Sequence, residues 1–127
     1  MKAMQTSATV VCQLEKTAAK ETIEAALEYL GLSKVELARA LGVDRRTIFR
    51  YRNRVNVPSR HVRAKMEKLR EIQHLLSEIF DGRDAQLNWL CSPVPLLRGS
   101  RPIDLLRRGD IDEVLSILAG LHSGAQM

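Results

Sequence analysis

Aromatic side chains are scarce in this chain: Tyr29, Phe49, Tyr51, Phe80 and Trp89 are all there are in 127 residues. A core built with so few rings has to be mainly aliphatic, and β-branched runs are scarce as well, which points to packed helices rather than sheets. Cysteine is limited to Cys12 and Cys91, with no C-x-x-C pair and no histidine at ligand spacing. Neither a zinc site nor a disulfide framework is expected, and a reducing cytoplasm fits best. No stretch approaches 18 consecutive apolar residues and residues 1–12 hold no signal-type apolar run, so neither membrane spanning nor export is expected. His61, His74 and His122 stand apart, no Gly-rich phosphate loop follows a strand, and no Ser-His-Asp set can be argued. The pattern therefore predicts no enzyme, catalytic residue, metal, cofactor or small-molecule substrate.

What the chain does have is a hydrophobic fraction of 45%, enough for a core, and a formal charge of +5 that is unevenly placed. The length allows one compact domain or two small ones sharing a helix. Lys34 to Arg70 holds twelve Lys or Arg against three acids, a net of +9, so the rest of the chain is net negative. Basicity gathered in one stretch is what a phosphate-binding footprint requires, whereas evenly spread charge argues only for solubility.

That stretch contains SKVELARALGVDRRTIFRYRN, from Ser33 to Asn53, which reads as a helix-turn-helix. Val35, Leu37, Ala38 and Leu41 give a helical stripe, and Ala38 is small enough to let a second helix cross closely. Gly42 can end the first helix, Asp44 can cap the next through the amides near Arg46 and Thr47, and Ile48 and Tyr51 can point back at the first. Arg45, Arg46, Thr47, Phe49, Arg50 and Arg52 are left outside. A merely basic surface helix is the bland alternative, but solvated faces usually mix charge signs, and no acid follows Asp44 through Arg63. Arg45, Arg46 and Arg50 are placed for base edges, and Lys34, Arg52 and Arg54 for phosphate. Phe49 has two readings, contact with a thymine methyl or packing on the following helix. The Ala38, Gly42 and Ile48 spacing resembles the helix-turn-helix of the Cro and repressor class, which implies operator DNA as a partner. Because one recognition helix covers only a few base pairs, a homodimer on a palindrome is expected.

Residues 1–16 read as a flexible arm, with Val10, Val11 and Leu14 forming a short strand or reaching onto a partner. The DNA-binding domain is placed at 17–59, beginning with a helix marked by Ala19, Ile23, Ala26, Leu27 and Leu30 and stopped by Gly31. Ser59 can cap a long connecting helix at 60–80, whose stripe runs Val62, Met66, Leu69, Ile72, Leu76, Ile79 and spans ~30 Å at 1.5 Å per residue. A heptad homodimer is the alternative for this helix, set against a stripe that Leu75 and Phe80 widen toward a globular core. The last domain, 81–127, carries Pro93, Pro95 and Pro102, which keep Ser92 to Arg101 largely extended with at most one helical turn at Pro95–Arg98. Pro102 suits a helix start, Gly109 its end, and Asp110 the cap of a final helix buried along Val114, Leu115, Leu118 and Leu121.

Trp89, Ser92, Pro93, Leu96, Leu97, Pro102, Asp104, Leu105, Gly109, Val114, Leu115, Leu118 and Gly124, in that order, resemble the C-terminal domain of the Xre/MbcA/ParS antitoxins. Spacing alone gives only a small helical module. The resemblance implies a type II antitoxin that neutralises a RES-domain, NAD-consuming toxin and represses its own operon, as a homodimer within a larger hetero-oligomer. It implies an all-α fold in which a helix-turn-helix bundle joins, through a long helix, a small toxin-binding module. Pro102, Gly109 and Leu118 are most simply fold-holding, contact with the toxin is expected of Arg98, Ser100, Arg101, Arg107, Leu121 and Met127, and Trp89 carries both readings. The competing reading is a plain dimeric helix-turn-helix repressor whose C-terminal module only dimerises.

Overall fold

A computed structural model describes residues 7–124, and over these the chain is all helical, with seven α-helices and one 3-10 turn. Helix α1 spans Ser7–Tyr29. The expected flexible arm at 1–16 is therefore corrected from Ser7 onward, and residues 1–6 lie outside the described residues. No Gly or Pro precedes Gly31, so nothing stops the helix from propagating back once it has formed. An ion pair between Glu15 and Arg63 fastens this extension to the long helix. Val10, Val11 and Leu14 form no strand and stay exposed on α1.

Helices α2 (Lys34–Leu41) and α3 (Arg45–Arg52) form the expected pair. Leu37, Ala38 and Leu41 are buried as the stripe predicts, but Ala40 takes the inward place expected of Val35, which is exposed. Helix α4, Arg60–Ile79, starts at Ser59, whose hydroxyl accepts from the Val62 amide at 3.3 Å. Then come α5 (Arg83–Leu90), a 3-10 turn at Pro95–Leu97, α6 (Pro102–Arg108) and α7 (Ile111–Ser123). Asp110 does not cap α7 through its side chain, because its carboxylate accepts from Arg108 Nε at 3.1 Å instead.

The long helix is a spine rather than a linker between separate modules. Helix α7 lies along α4 and α6 packs on α2 of the helix-turn-helix, so buried residues of both halves form one continuous cluster. Leu37 and Leu41 of α2, Met66, Leu69 and Ile72 of α4, Leu105 and Leu106 of α6, and Val114 and Leu118 of α7 all belong to it. Gly109 closes α6 at φ +90°, a backbone conformation that L side chains rarely adopt. A β-carbon there would lie 3.6 Å from Ala40 Cα. The end of α6 thus approaches the backbone of α2 directly.

Candidate functional site

The first candidate surface is built on two caps. Glu36 N donates to Ser33 Oγ at 3.1 Å and Ser33 N donates to Glu36 Oε1 at 3.0 Å, a reciprocal capping box that fixes the start of α2. Gly42 turns the chain at φ +74°. Asp44 then caps α3, its Oδ1 accepting from Thr47 N at 2.8 Å and from Thr47 Oγ1 at 2.9 Å. Those two bonds, the backbone one foremost, hold the Asp44 carboxyl below the usual carboxylate range, with Arg46 and Arg50 adding to the effect. Ile48 and Tyr51 are buried against the bundle, and burial pushes the Tyr51 phenol up.

With its inner face fixed, α3 presents Arg45, Arg46, Phe49 and Arg50 to solvent. Thr47 and Arg52 are half-buried, and the Thr47 hydroxyl is already committed to Asp44. Lys34, Arg45, Arg46, Phe49 and Arg52 are brought together around a groove of about 480 Å³ floored by Ile48. Arg50 is not part of that lining, and neither is Arg54, which is exposed beyond the end of α3 at φ +57°. Phe49 is 65% exposed, so packing on α4 is not realised.

The second candidate surface divides the residues expected to meet a partner. Trp89 is half-buried, its ring centroid 5.6 Å from that of Phe80, and so helps seat α5. Arg101 donates twice to Asp104, at 2.8 and 3.0 Å, and Arg107 Nη1 donates to the same carboxylate at 3.3 Å. The Arg101 hydrogen bonds, together with the positive charge around them, hold the Asp104 carboxyl below its usual range. Arg107 also reaches the helix-turn-helix: its Nε lies 3.2 Å from Glu36 Oε2, out of hydrogen-bond alignment and buried. Ser100 is half-buried, its carbonyl accepting from Val94 N at 3.0 Å and its amide donating to Leu97 O at 3.1 Å. Arg98 and Leu121 are exposed, and Met127 lies outside the described residues.

Three arrangements go beyond the sequence reading. The Ser33 to Glu36 spacing is a readable capping-box signal that the reading leaves unused. Asp104 and Leu96 carry the resemblance, but neither the pairing of Asp104 with Arg101 and Arg107 nor the outward turn of Leu96 has a local signal, because nothing in Leu96-Leu97 says which leucine faces solvent. Among the described residues no group of three His, Cys, Asp or Glu could hold a metal ion, and no helix is long and apolar enough to cross a membrane.

Comparison with known proteins supplies the identity. The antitoxin Xre-like helix-turn-helix domain matches residues 13–58, and the antitoxin Xre/MbcA/ParS C-terminal toxin-binding domain matches residues 75–124. A probable mycobacterial cidal antitoxin of Mycobacterium tuberculosis is 30% identical over 112 residues, which are 88% of this chain and 95% of that protein. The chain belongs to the Xre/MbcA/ParS antitoxin family. The mycobacterial cidal antitoxin MbcA of Mycobacterium bovis is 29% identical over 103 residues, 81% of this chain and 90% of its own length. A crystal structure of the M. tuberculosis MbcT-MbcA toxin-antitoxin complex contains a similar chain, with a TM-score of 0.57 and 28% identity, covering 83% of this chain and 94% of that one. For this antitoxin family member both family matches fall on described secondary structure. The helix-turn-helix match begins at residue 13, inside α1 and upstream of Thr17, and the toxin-binding match begins at residue 75, inside α4.

Proposed function

We propose that the chain neutralises a RES-type toxin, one that degrades NAD or transfers from it, and represses its own operon by binding a palindromic operator as a dimer. The observation that carries this reading is the coexistence, in one core, of an acid-free cationic helix face and a domain of toxin-binding type. The DNA half follows from electrostatics. Lys34, Arg45, Arg46 and Arg52 converge on one groove, and each phosphate neutralised releases counterions and steepens the dependence on salt. Arg46 and Arg50 reach base edges, while Lys34, Arg52 and Arg54 take phosphates. The toxin half is assigned to the C-terminal module, with Arg98, Ser100 and the tail from Leu121 to Met127 lying over the entrance of the NAD pocket. Such a pocket offers cationic or amide groups to a pyrophosphate, and tail carbonyls can occupy them. Arg101 and Arg107, spent within the chain, shape that surface from behind.

The test is co-expression with the product of the adjacent reading frame. The full chain should co-purify with a RES-type protein and protect cells from it. A chain ending at Gly120 should keep its fold, since Val114 and Leu118 lie upstream and Leu121 is exposed, and should keep its operator affinity, yet release toxicity. Growth equal to that with the full chain would remove the tail from the mechanism. Absence of any such neighbour, with operator binding retained, would favour the plain dimeric repressor.

A further inference from the structure

We infer that the turn Val94–Ser100 is a preformed docking tooth, with Leu96 as its anchor and Arg98 as its flanking charge. It fits a toxin pocket with an apolar floor and a carboxylate at its rim. The inference rests on the antitoxin reading above and deepens it. Leu96 is 67% exposed, more than any other large apolar side chain described. Its neighbour Leu97 is buried in the common core, so two consecutive leucines are divided between an inward root and an outward tip.

The tip is rigid before it meets anything. Val94 N donates to Ser100 O and Gly99 N donates to Val94 O, both at 3.0 Å, which pins the two ends of the turn together. Inside it, Leu97 N donates to Val94 O and Arg98 N to Pro95 O, both at 2.9 Å, while Ser100 N donates to Leu97 O at 3.1 Å. Pro95 removes further backbone freedom. An apolar side chain held this way loses little entropy on entering a pocket, which is the property that distinguishes anchors from incidental contacts.

Arg98 supplies the second argument. It sits at φ +58°, a conformation that Gly would adopt without strain and that the adjoining Gly99 also adopts, at φ +81°. A long cationic side chain kept at a strained position points to a use for the side chain itself. Arg101 and Arg107 are paired with Asp104 and Glu36, whereas Arg98 enters no ion pair among the described residues. Arg108 is paired with Asp110 and Arg83 donates to Glu28 O, so among the described residues of this module the cation left over for a partner is the one two residues from the apolar tip. The turn lies within residues 75–124, matched by the toxin-binding domain, and that match selects a toxin as the occupant; the leucine tip and its flanking arginine call for a pocket with apolar walls and a carboxylate.

The experiment is a binding titration of the full chain with the purified RES-type protein from the adjacent reading frame, accompanied by melting curves and operator-binding curves. Leu96→Asp should weaken toxin binding at least 100-fold, Leu96→Ala at least 10-fold and Leu96→Met less than 3-fold, with melting temperature and operator affinity unchanged. Arg98→Gly should melt higher than the parent and yet bind toxin at least 5-fold more weakly, a pair of opposite changes that a purely structural role could not produce. If Leu96→Asp unfolds the chain, the comparison of Leu96→Ala with Leu96→Met decides. Wild-type-like binding by the Leu96→Asp and Leu96→Ala variants, while the parent binds tightly, overturns the tooth and leaves the antitoxin reading intact. Failure of the parent itself to bind overturns both.

Discussion

Replacing Leu106 by Ala tests whether the two halves of the molecule are one thermodynamic unit. Leu106 is fully buried on α6, the helix that packs on α2 of the helix-turn-helix. Truncation to Ala removes a buried isobutyl group and leaves a cavity, which costs about 2–5 kcal/mol. A domain of this size has roughly 5–15 kcal/mol of stability in all, so the loss is a large share. With ~3 kcal/mol lost and an m-value of ~2 kcal/mol per M, the urea midpoint falls by ~1.5 M. Trp89, the single tryptophan, reports on the C-terminal half through its fluorescence, and far-UV circular dichroism reports on all helices. Because Leu106 and Ile48 belong to the same core cluster, both signals should move together, and amide exchange at Ile48 and Tyr51 should accelerate in step. A biphasic dichroism curve, in which only the phase shared with Trp89 shifts, would refute the single-core argument and restore the picture of two modules on a linker.

Arg46→Ala should cost ~1–3 kcal/mol on the operator and relax base preference, whereas Arg54→Ala should weaken all sequences alike and flatten the salt dependence; identical effects of both on specific and random DNA would contradict the division. Phe49→Ala should lower operator affinity with an unchanged melting temperature, because the ring is mostly in solvent; a lower melting temperature with intact affinity would assign it to packing. Asp44 and Asp104 have folded pKa values below their ordinary value of 3.8, so the stability they add is present above that pH and lost as pH falls through the lowered values. Melting temperature should therefore decline on acidification below about pH 4, and the Asp44→Asn, Asp104→Asn double variant should decline less steeply; equal acid limbs would show that these carboxylates do not matter.

How far the fold could be read from sequence depended on whether the signal was local. The stripe along α4, the Gly42 turn, the Asp44 cap, the helical turn at Pro95 and the start at Pro102 are all consequences of neighbours within four residues, and they appear where expected. The first ten residues of α1 were misread because small polar side chains look like a tail, and what holds them, the Glu15 pair with Arg63, spans 48 positions. The docking of α6 on α2 left no mark in periodicity, since Leu105 and Leu106 would be equally buried in an independent module. The basic face of α3 was legible through charge alone. On the candidate partner surface, by contrast, arginine looks available in the sequence at Arg98, Arg101 and Arg107 alike, and only the fold reveals that the last two answer to Asp104 and Glu36.

Glu36 divides its carboxylate between two tasks, one oxygen closing the cap of α2 and the other facing Arg107 of α6. In this chain the halves are consequently not interchangeable cassettes. Grafting the C-terminal half of a relative onto this helix-turn-helix would join a donor α6 to an α2 whose first turn has been fitted to Arg107 and whose Ala40 backbone has been fitted to Gly109. Such a chimera should melt below both parents unless residues 36, 40, 107 and 109 are carried over as a set. On the function proposed above, the surfaces for DNA and for toxin would then have to diversify with a small shared seam held constant between them.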